Sequence, residues 1–228
     1  MKKIKVAVIG TGYLAKAKQV ILQVGHLERF NPAILALDQT AEKPLFIESH
    51  RLSPFNPRAN DVSVVLDLMI HDIDIIQALV DADIDHIEAS GTAVLTQGTD
   101  IANARLTFKN GCVANVTASR ISLKTERKMR LFRPSSYISV DFQNRILTKP
   151  RTGDKEMFPG IPEIVTEESV FENGDALLAE IKHFITCIKT GQNPTVSGEA
   201  GRRALATAIE ITQLLTHGNA NHFALNNS

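Results

Sequence analysis

The residues best placed for chemistry lie in one segment, Asp61–Val80, which reads DVSVVLDLMIHDIDIIQALV. At roughly 100° per residue, Asp67, His71, Asp74 and Ala78 fall within roughly 60° of one another around a helix. Most of the remaining circumference is Val, Leu, Met and Ile. A helix on a protein surface carries a broad polar face. This one reads as buried nearly all round, with one narrow ionisable stripe. Unpaired charges are costly to bury, so the stripe must find partners or face a wet cleft. Asp67 and His71, spaced i and i+4, can hydrogen-bond. The carboxylate would raise the imidazole pKa and orient the ring, which suits general acid–base work near neutrality. The same spacing also serves a purely structural Asp–His pair. A metal site built from Asp67, His71 and Asp72 or Asp74 is disfavoured, because Asp72 points away from His71 and no second ligand cluster accompanies them.

A second motif sits at the start of the chain. Lys2–Ile9 (KKIKVAVI) reads as a buried parallel strand, and Gly10-Thr11-Gly12-Tyr13-Leu14-Ala15 follows at once. This is G-x-G-x-x-A, a pattern that lets a helix N-terminus approach a pyrophosphate closely. The other reading is a tight turn after an edge strand. A complete dinucleotide unit also needs an acid about 20 positions on, at the end of the next strand, for the ribose hydroxyls. Here the next strand-like run is Val20–Val24 (VILQV), followed by GHLERFNP, which is no ribose-binding turn. Only Gly10–Gln19 lies between the two strands, whereas a parallel crossover takes a dozen residues or more. A unit this reduced would expose apolar edges, and local instability or self-association is expected at the N-terminal end.

The elements that must position these residues follow from local pattern. Pro44–Leu52 has strand character, Ser53–Asn60 is a loop by its prolines and asparagines, and Asp61 is a good N-cap for the helix to Val80. The second half is β-rich, with strands expected at His86–Leu95, Ile101–Phe108, Cys112–Ile121, Lys128–Phe132, Tyr137–Phe142 and Arg145–Thr148. Asn110-Gly111 is a hairpin turn signal. Gly153–Pro162 reads as a loop and Ile164–Phe171 as a last strand. Two helices close the chain. Ala176–Thr190 carries Leu177, Leu178, Ile181, Phe184, Ile185 and Ile188 on one face and stops at Gly191; Ser197 caps a second helix to about Thr216. His217–Ser228 is polar and expected to fray. The fold class is α/β in the α+β sense: a reduced dinucleotide-domain remnant, then a large mixed or antiparallel open sheet with flanking helices.

Bulk properties exclude several functions. With 25 basic and 25 acidic residues the formal charge is zero, which gives no electrostatic case for nucleic acid or an anionic membrane. Basic runs such as Lys124–Arg130 read as solvated strand faces. No secretory pattern precedes the first strand, and no apolar run approaches the ~20 residues of a membrane span. Cys112 and Cys187 are too few for a disulfide framework or a zinc site and read as small buried hydrophobes in a reducing cytoplasm.

Taken in order, VAVIGTGYLA, VILQVGHLERFNP, LDLMIHDIDII and VSGEAGRRAL resemble the glucose–fructose oxidoreductase/inositol dehydrogenase (Gfo/Idh/MocA) family across nearly the whole chain. Asp67 and His71 match its Asp-x-x-x-His helix motif. GHLERFNP, ESHRLSPF and DIANARLTFKNGCVANVTASR look most like bacterial sugar-nucleotide dehydrogenases of lipid A synthesis, which implies UDP-N-acetylglucosamine as substrate. The resemblance implies an NAD- or NADP-dependent oxidoreductase acting on a sugar or sugar nucleotide. Gly10, Gly12, Tyr13 and Leu14 would contact the pyrophosphate, Asp67 would orient His71, and His71 would act as the acid–base group. Arg29, Asn31 and Arg120 are candidates for substrate contacts, since Arg and Asn can bond sugar hydroxyls or phosphate. It further implies a homodimer or homotetramer built through the open sheet face.

Departures from the family pattern matter as much. Between Ala15 and about Lys18 the family carries the rest of its Rossmann domain, so on the order of 100 residues are absent here. The absent stretch would hold the Glu-Lys-Pro motif with the catalytic lysine. Glu42-Lys43-Pro44 does not replace it, because it follows the GHLERFNP crossover instead of preceding it; Lys43 reads as an exposed strand-entry residue. The expected organisation is residues 1–32 as the remnant, 33–216 as the substrate and dimerisation domain, and 217–228 as a tail. Two functions follow: an oxidoreductase by descent with impaired activity, or a non-catalytic module for sugar-nucleotide binding or dimerisation.

Overall fold

The computed structural model describes residues 20–37, 42–57, 62–134, 137–171 and 174–225. The glycine motif with Gly10, Gly12, Tyr13 and Leu14, its strand, and the expected N-cap Asp61 lie outside these residues.

One sheet of eight strands organises the rest. In chain order these are β1 (Phe46–Leu52), β2 (Ile84–Thr92), β3 (Ile101–Phe108), β4 (Val113–Ser119), β5 (Glu126–Phe132), β6 (Tyr137–Asp141), β7 (Ile146–Phe158) and β8 (Ile161–Val170). Their spatial order is β2-β3-β4-β1-β5-β6-β7-β8. Only β1 and β4 run parallel; β1 sits at the centre, with β5 antiparallel on its other side. The expected mixed, mostly antiparallel open sheet is thus present. The Asn110-Gly111 turn also forms: Gly111 takes φ +86° and the Asn110 side chain accepts from the Cys112 amide at 3.1 Å.

The period-two alternation of the central strands makes one face dry. Ile47, Ala104, Leu106, Ala114, Val116, Met129, Leu131 and Val140 all point into the core. Helix α2 (Ile70–Val80) and the last helix, α4 (Gly198–Leu225), pack there through Ile73, Ile76, Val80, Ala204, Ala208 and Ile211. The opposite face is polar, with Arg130 on Glu48 at 3.1 Å, Arg105 on Asn115 at 3.2 Å and Asn103 on Thr117 at 2.9 Å. One covered and one open face is the usual state of an antiparallel sheet.

Several expectations change. VILQV is no strand of the sheet: Gln23 makes one bridge to Ser197, and the Val24 amide donates to the Val196 carbonyl. The reason is packing. A Cβ on Gly198 would lie 2.7 Å from Leu22 Cδ2, and one on Gly201 2.7 Å from Val24 Cγ2, so the glycines of VSGEAGRR admit this segment onto the helix start. Gly153–Pro162 is no loop but the outer half of a β7–β8 hairpin whose tip is Pro159-Gly160, with Gly160 at φ +78°. The closing helix runs past Thr216 to Leu225, so His217–Leu225 continue it. Helix α3 (Ala176–Thr190) has the expected bounds, with Asp175 as N-cap and Gly191 as left-handed stop. Its apolar stripe stays largely uncovered, however, with Leu177 and Ile181 about half exposed. The buried residues of α3 are Glu180 and Cys187.

Candidate functional site

The polar stripe of α2 forms the site. The helix opens on a π turn, Val65–Met69, in which the Ile70 amide donates to the Val65 carbonyl. Such turns hold an extra residue and often mark functional positions. His71 stands in the first α-helical turn after it and is half-buried. The helix beyond is enclosed on nearly every side, as its composition implies: Asp72 through Gln77 are all buried.

Asp67 does not reach His71. Its side chain is exposed, and its charge is absent from the causes that move the His71 pKa. The neighbour of His71 is His26, from the GHLERFNP crossover: the ring centroids lie 5.8 Å apart in an edge-to-face arrangement at 66°. His26 is buried, and its Nδ1 lies 3.3 Å from Asp74 Oδ2. The same oxygen is 3.6 Å from Arg29 Nη1, and Arg29 also donates to the Asp74 carbonyl at 3.3 Å. His71 Nδ1, His26 Nδ1 and Asp74 Oδ2 are all buried without a well-formed hydrogen bond. Burial lowers the His71 pKa, and the charges of Arg51 and His26 lower it further. At neutral pH His71 is therefore an uncharged proton acceptor. Glu180 of α3 closes the back of the cluster, its carboxyl pushed up by burial and drawn down by Gln23 and the His26 charge.

A second cluster lies one residue along the helix. Arg51 of β1 is 3% exposed and reaches Asp72 with Nε (3.2 Å to each oxygen) and Nη2 (2.7 Å), and Glu28 with Nη1 at 3.0 Å. Burial alone would lower the Arg51 pKa; the Asp72 and Glu28 charges and hydrogen bonds outweigh it, so the guanidinium stays charged. Its plane also lies near the Phe142 ring, 5.8 Å from Cζ to the centroid. This network joins the 3-10 turn Leu27–Phe30 to α2, β1 and the end of β6, and so fixes the crossover that carries His26.

The candidate substrate residues are already engaged. Asn31 caps α1 (Pro32–Leu35): its Oδ1 accepts from the Ala33 amide at 3.1 Å, and its Nδ2 donates to the Phe142 carbonyl at 3.0 Å. Arg120 is buried and donates to the Val62 carbonyl. Arg29 alone of the three belongs to the histidine cluster. Lys43 is exposed ahead of β1 and lies 3.5 Å from Asp81, the C-cap of α2. That end of the helix is roughly 15 Å along the axis from His71. His26, Glu28, Arg51 and Glu180 were not legible as site residues, and Asp72 only as a disfavoured metal ligand. His26 and Glu28 stand in the charged run GHLERFNP, whereas nothing local marks Arg51 or Glu180.

The glycines at the N-terminus of α4 are filled by Leu22 and Val24, while the glycine motif expected to hold a dinucleotide lies outside the described residues. Among the described residues no group of His, Cys, Asp and Glu is placed to hold a metal ion, and no helix is long and apolar enough to cross a membrane.

Similarity to known proteins agrees with this architecture. The UDP-N-acetylglucosamine 3-dehydrogenase of Acidithiobacillus ferrooxidans is 39% identical over 199 residues, covering 87% of this chain and 63% of that protein. Its solved structure superposes with a TM-score of 0.80 at 36% identity, covering 89% of this chain and 64% of that one. The myo-inositol 2-dehydrogenase of Thermotoga maritima is 25% identical over 208 residues, covering 83% of this chain and 60% of that protein. The chain thus spans under two thirds of the length of these relatives, which are named as dehydrogenases of a sugar nucleotide and a cyclic polyol. Residues 43–133 match the GFO/IDH/MocA C-terminal domain, so this segment is similar to that family's second domain.

Proposed function

We propose that this chain descends from an NAD- or NADP-dependent oxidoreductase of sugars or sugar nucleotides, with UDP-N-acetylglucosamine as the substrate to test first. In this reading residues 1–32 are a remnant of the cofactor domain, and residues from 33 on form the substrate and subunit-contact domain. The observation that carries it is His71: a half-buried, neutral imidazole after a π turn, in a domain whose relatives are dehydrogenases. His71 accepts the proton of a sugar hydroxyl, and Arg29 lies at the same cluster to bond a hydroxyl or phosphate. Asp67 is exposed and acts on substrate or solvent, not on the His71 ring. Gly10, Gly12, Tyr13 and Leu14 remain the cofactor contacts proposed from the sequence. The polar open face of the sheet, with its Glu48–Arg130 pair, is the proposed contact between subunits of a homodimer or homotetramer.

A second reading, a non-catalytic sugar-nucleotide-binding or dimerisation module, is favoured by one fact: Lys43, in the chain's Glu-Lys-Pro, pairs with Asp81 at the far end of α2. An NADH fluorescence titration, with and without UDP-N-acetylglucosamine, separates the two. Saturable micromolar binding, followed by turnover that His71→Ala abolishes, supports the oxidoreductase. No binding at millimolar cofactor, with sugar-nucleotide affinity retained, supports the module and ends the enzymatic reading.

A further inference from the structure

We propose that His26 is a positioning residue of the His71 site: it fixes the orientation of the His71 ring and helps hold that ring in its uncharged form. The inference deepens the proposed function and rests on His71 being the proton acceptor.

The geometry is specific to histidine at position 26. Its ring centroid lies 5.8 Å from that of His71 at an interplanar angle of 66°, while its Nδ1 lies 3.3 Å from Asp74 Oδ2. A phenylalanine could keep the ring contact, but it would leave Asp74, 2% exposed, with only the Arg29 guanidinium. The groups that face the pair come from every neighbouring element. Asp74 on α2 and Glu180 on α3 lie beside His26, and Arg29 on the 3-10 turn reaches the same Asp74 oxygen. Arg51 on β1 adds a positive charge near His71, balanced in part by Asp72 and Glu28. The charge that a proton gives His26 is one of the causes that lower the His71 pKa. From His71 the same proton is a like charge at close range. The crossover that carries His26 is itself fixed by Glu28 to Arg51 at 3.0 Å and by Asn31 to the Phe142 carbonyl at 3.0 Å. The ring contact is therefore held from both sides, not left to two mobile side chains.

The test is an NMR titration of the imidazole resonances in the full chain, with His71 assigned by comparison with His71→Ala. In His26→Phe the His71 midpoint should rise by about half a unit to one unit, because a like charge has been removed. His26→Gln, which keeps a hydrogen-bonding group toward Asp74, should raise it similarly and covers the case in which the Phe variant does not fold. A His71 midpoint within about 0.2 of wild type in both His26 variants overturns the proposal. If turnover is measurable, the acid limb of kcat should move with the midpoint while KM holds. A shifted midpoint in a chain without turnover overturns the enzymatic reading and leaves the coupling of the two histidines standing.

Discussion

Helix α2 presents two ionic clusters from adjacent positions, and they are built to opposite rules. Asp72 meets Arg51 in a bidentate pair that Glu28 completes, with the Arg51 donors Nε, Nη1 and Nη2 all engaged. His71 and Asp74 meet His26, and each of the three carries a buried polar atom without a well-formed hydrogen bond. A saturated network is rigid and chemically quiet. An unsaturated one has a proton site whose affinity depends on what approaches it. Neighbouring residues on one helix thus separate the network that holds the crossover from the cluster that carries the proposed proton acceptor.

The comparison breaks most visibly at Arg51. Arg51→Met leaves the Asp72 carboxylate buried and alone, and should cost about 3–5 kcal/mol in urea denaturation. Arg51→Met combined with Asp72→Leu should recover most of that loss, because a packed apolar pair can replace a buried ion pair. Asp74→Ala should cost about 1–3 kcal/mol, less because Arg29 retains a backbone acceptor. His71→Ala should cost about 1 kcal/mol or less, yet remove any turnover; a larger loss of stability would move His71 into the structural cluster.

The histidine cluster should also show in the pH dependence of stability. The folded His71 pKa is lowered from 6.5, so the unfolded chain binds the proton more readily. Stability is then fully present above about pH 6.5 and falls as pH drops through that value toward the folded pKa. His71→Gln should flatten this slope between about pH 7 and pH 5, measured by denaturation at fixed ionic strength. Asp67→Ala gives the smallest effect, within about 0.5 kcal/mol, because the side chain is exposed. A loss of turnover in that variant with stability unchanged would assign Asp67 to the substrate.

What could be read from the chain was whatever local pattern decides. The strand alternation, the Asn110-Gly111 turn, the bounds of α3 and the all-round burial of α2 depend on neighbours within a few residues. The pairings that make the site do not. His26 meets Asp74 only because the crossover returns to α2, and Arg51 meets Asp72 only because β1 lies beneath that helix. VILQV carried a strand-like composition, but the glycines of α4 took its apolar side chains. Pro159-Gly160 looked like the mark of a long loop and is only the tip of a hairpin. The helical period of α3 identified an apolar face, and among the described residues Leu177 and Ile181 remain half exposed.

The central place of β1 sets an order of events for the chain as it is made. β1 is complete at Leu52, but its parallel partner ends at Ser119 and its antiparallel partner at Phe132. Until both are available, β1 keeps at least one open edge, and the sheet that holds Arg51 against Asp72 is incomplete. The β2–β3–β4 meander can pair locally first, since each strand follows its neighbour closely. The joining of that meander to β5 through β1 is the long-range step, and it closes late. A nascent chain stalled before Phe132 should therefore hold a formed meander and a β1 still open to protease, with the histidine pair not yet assembled.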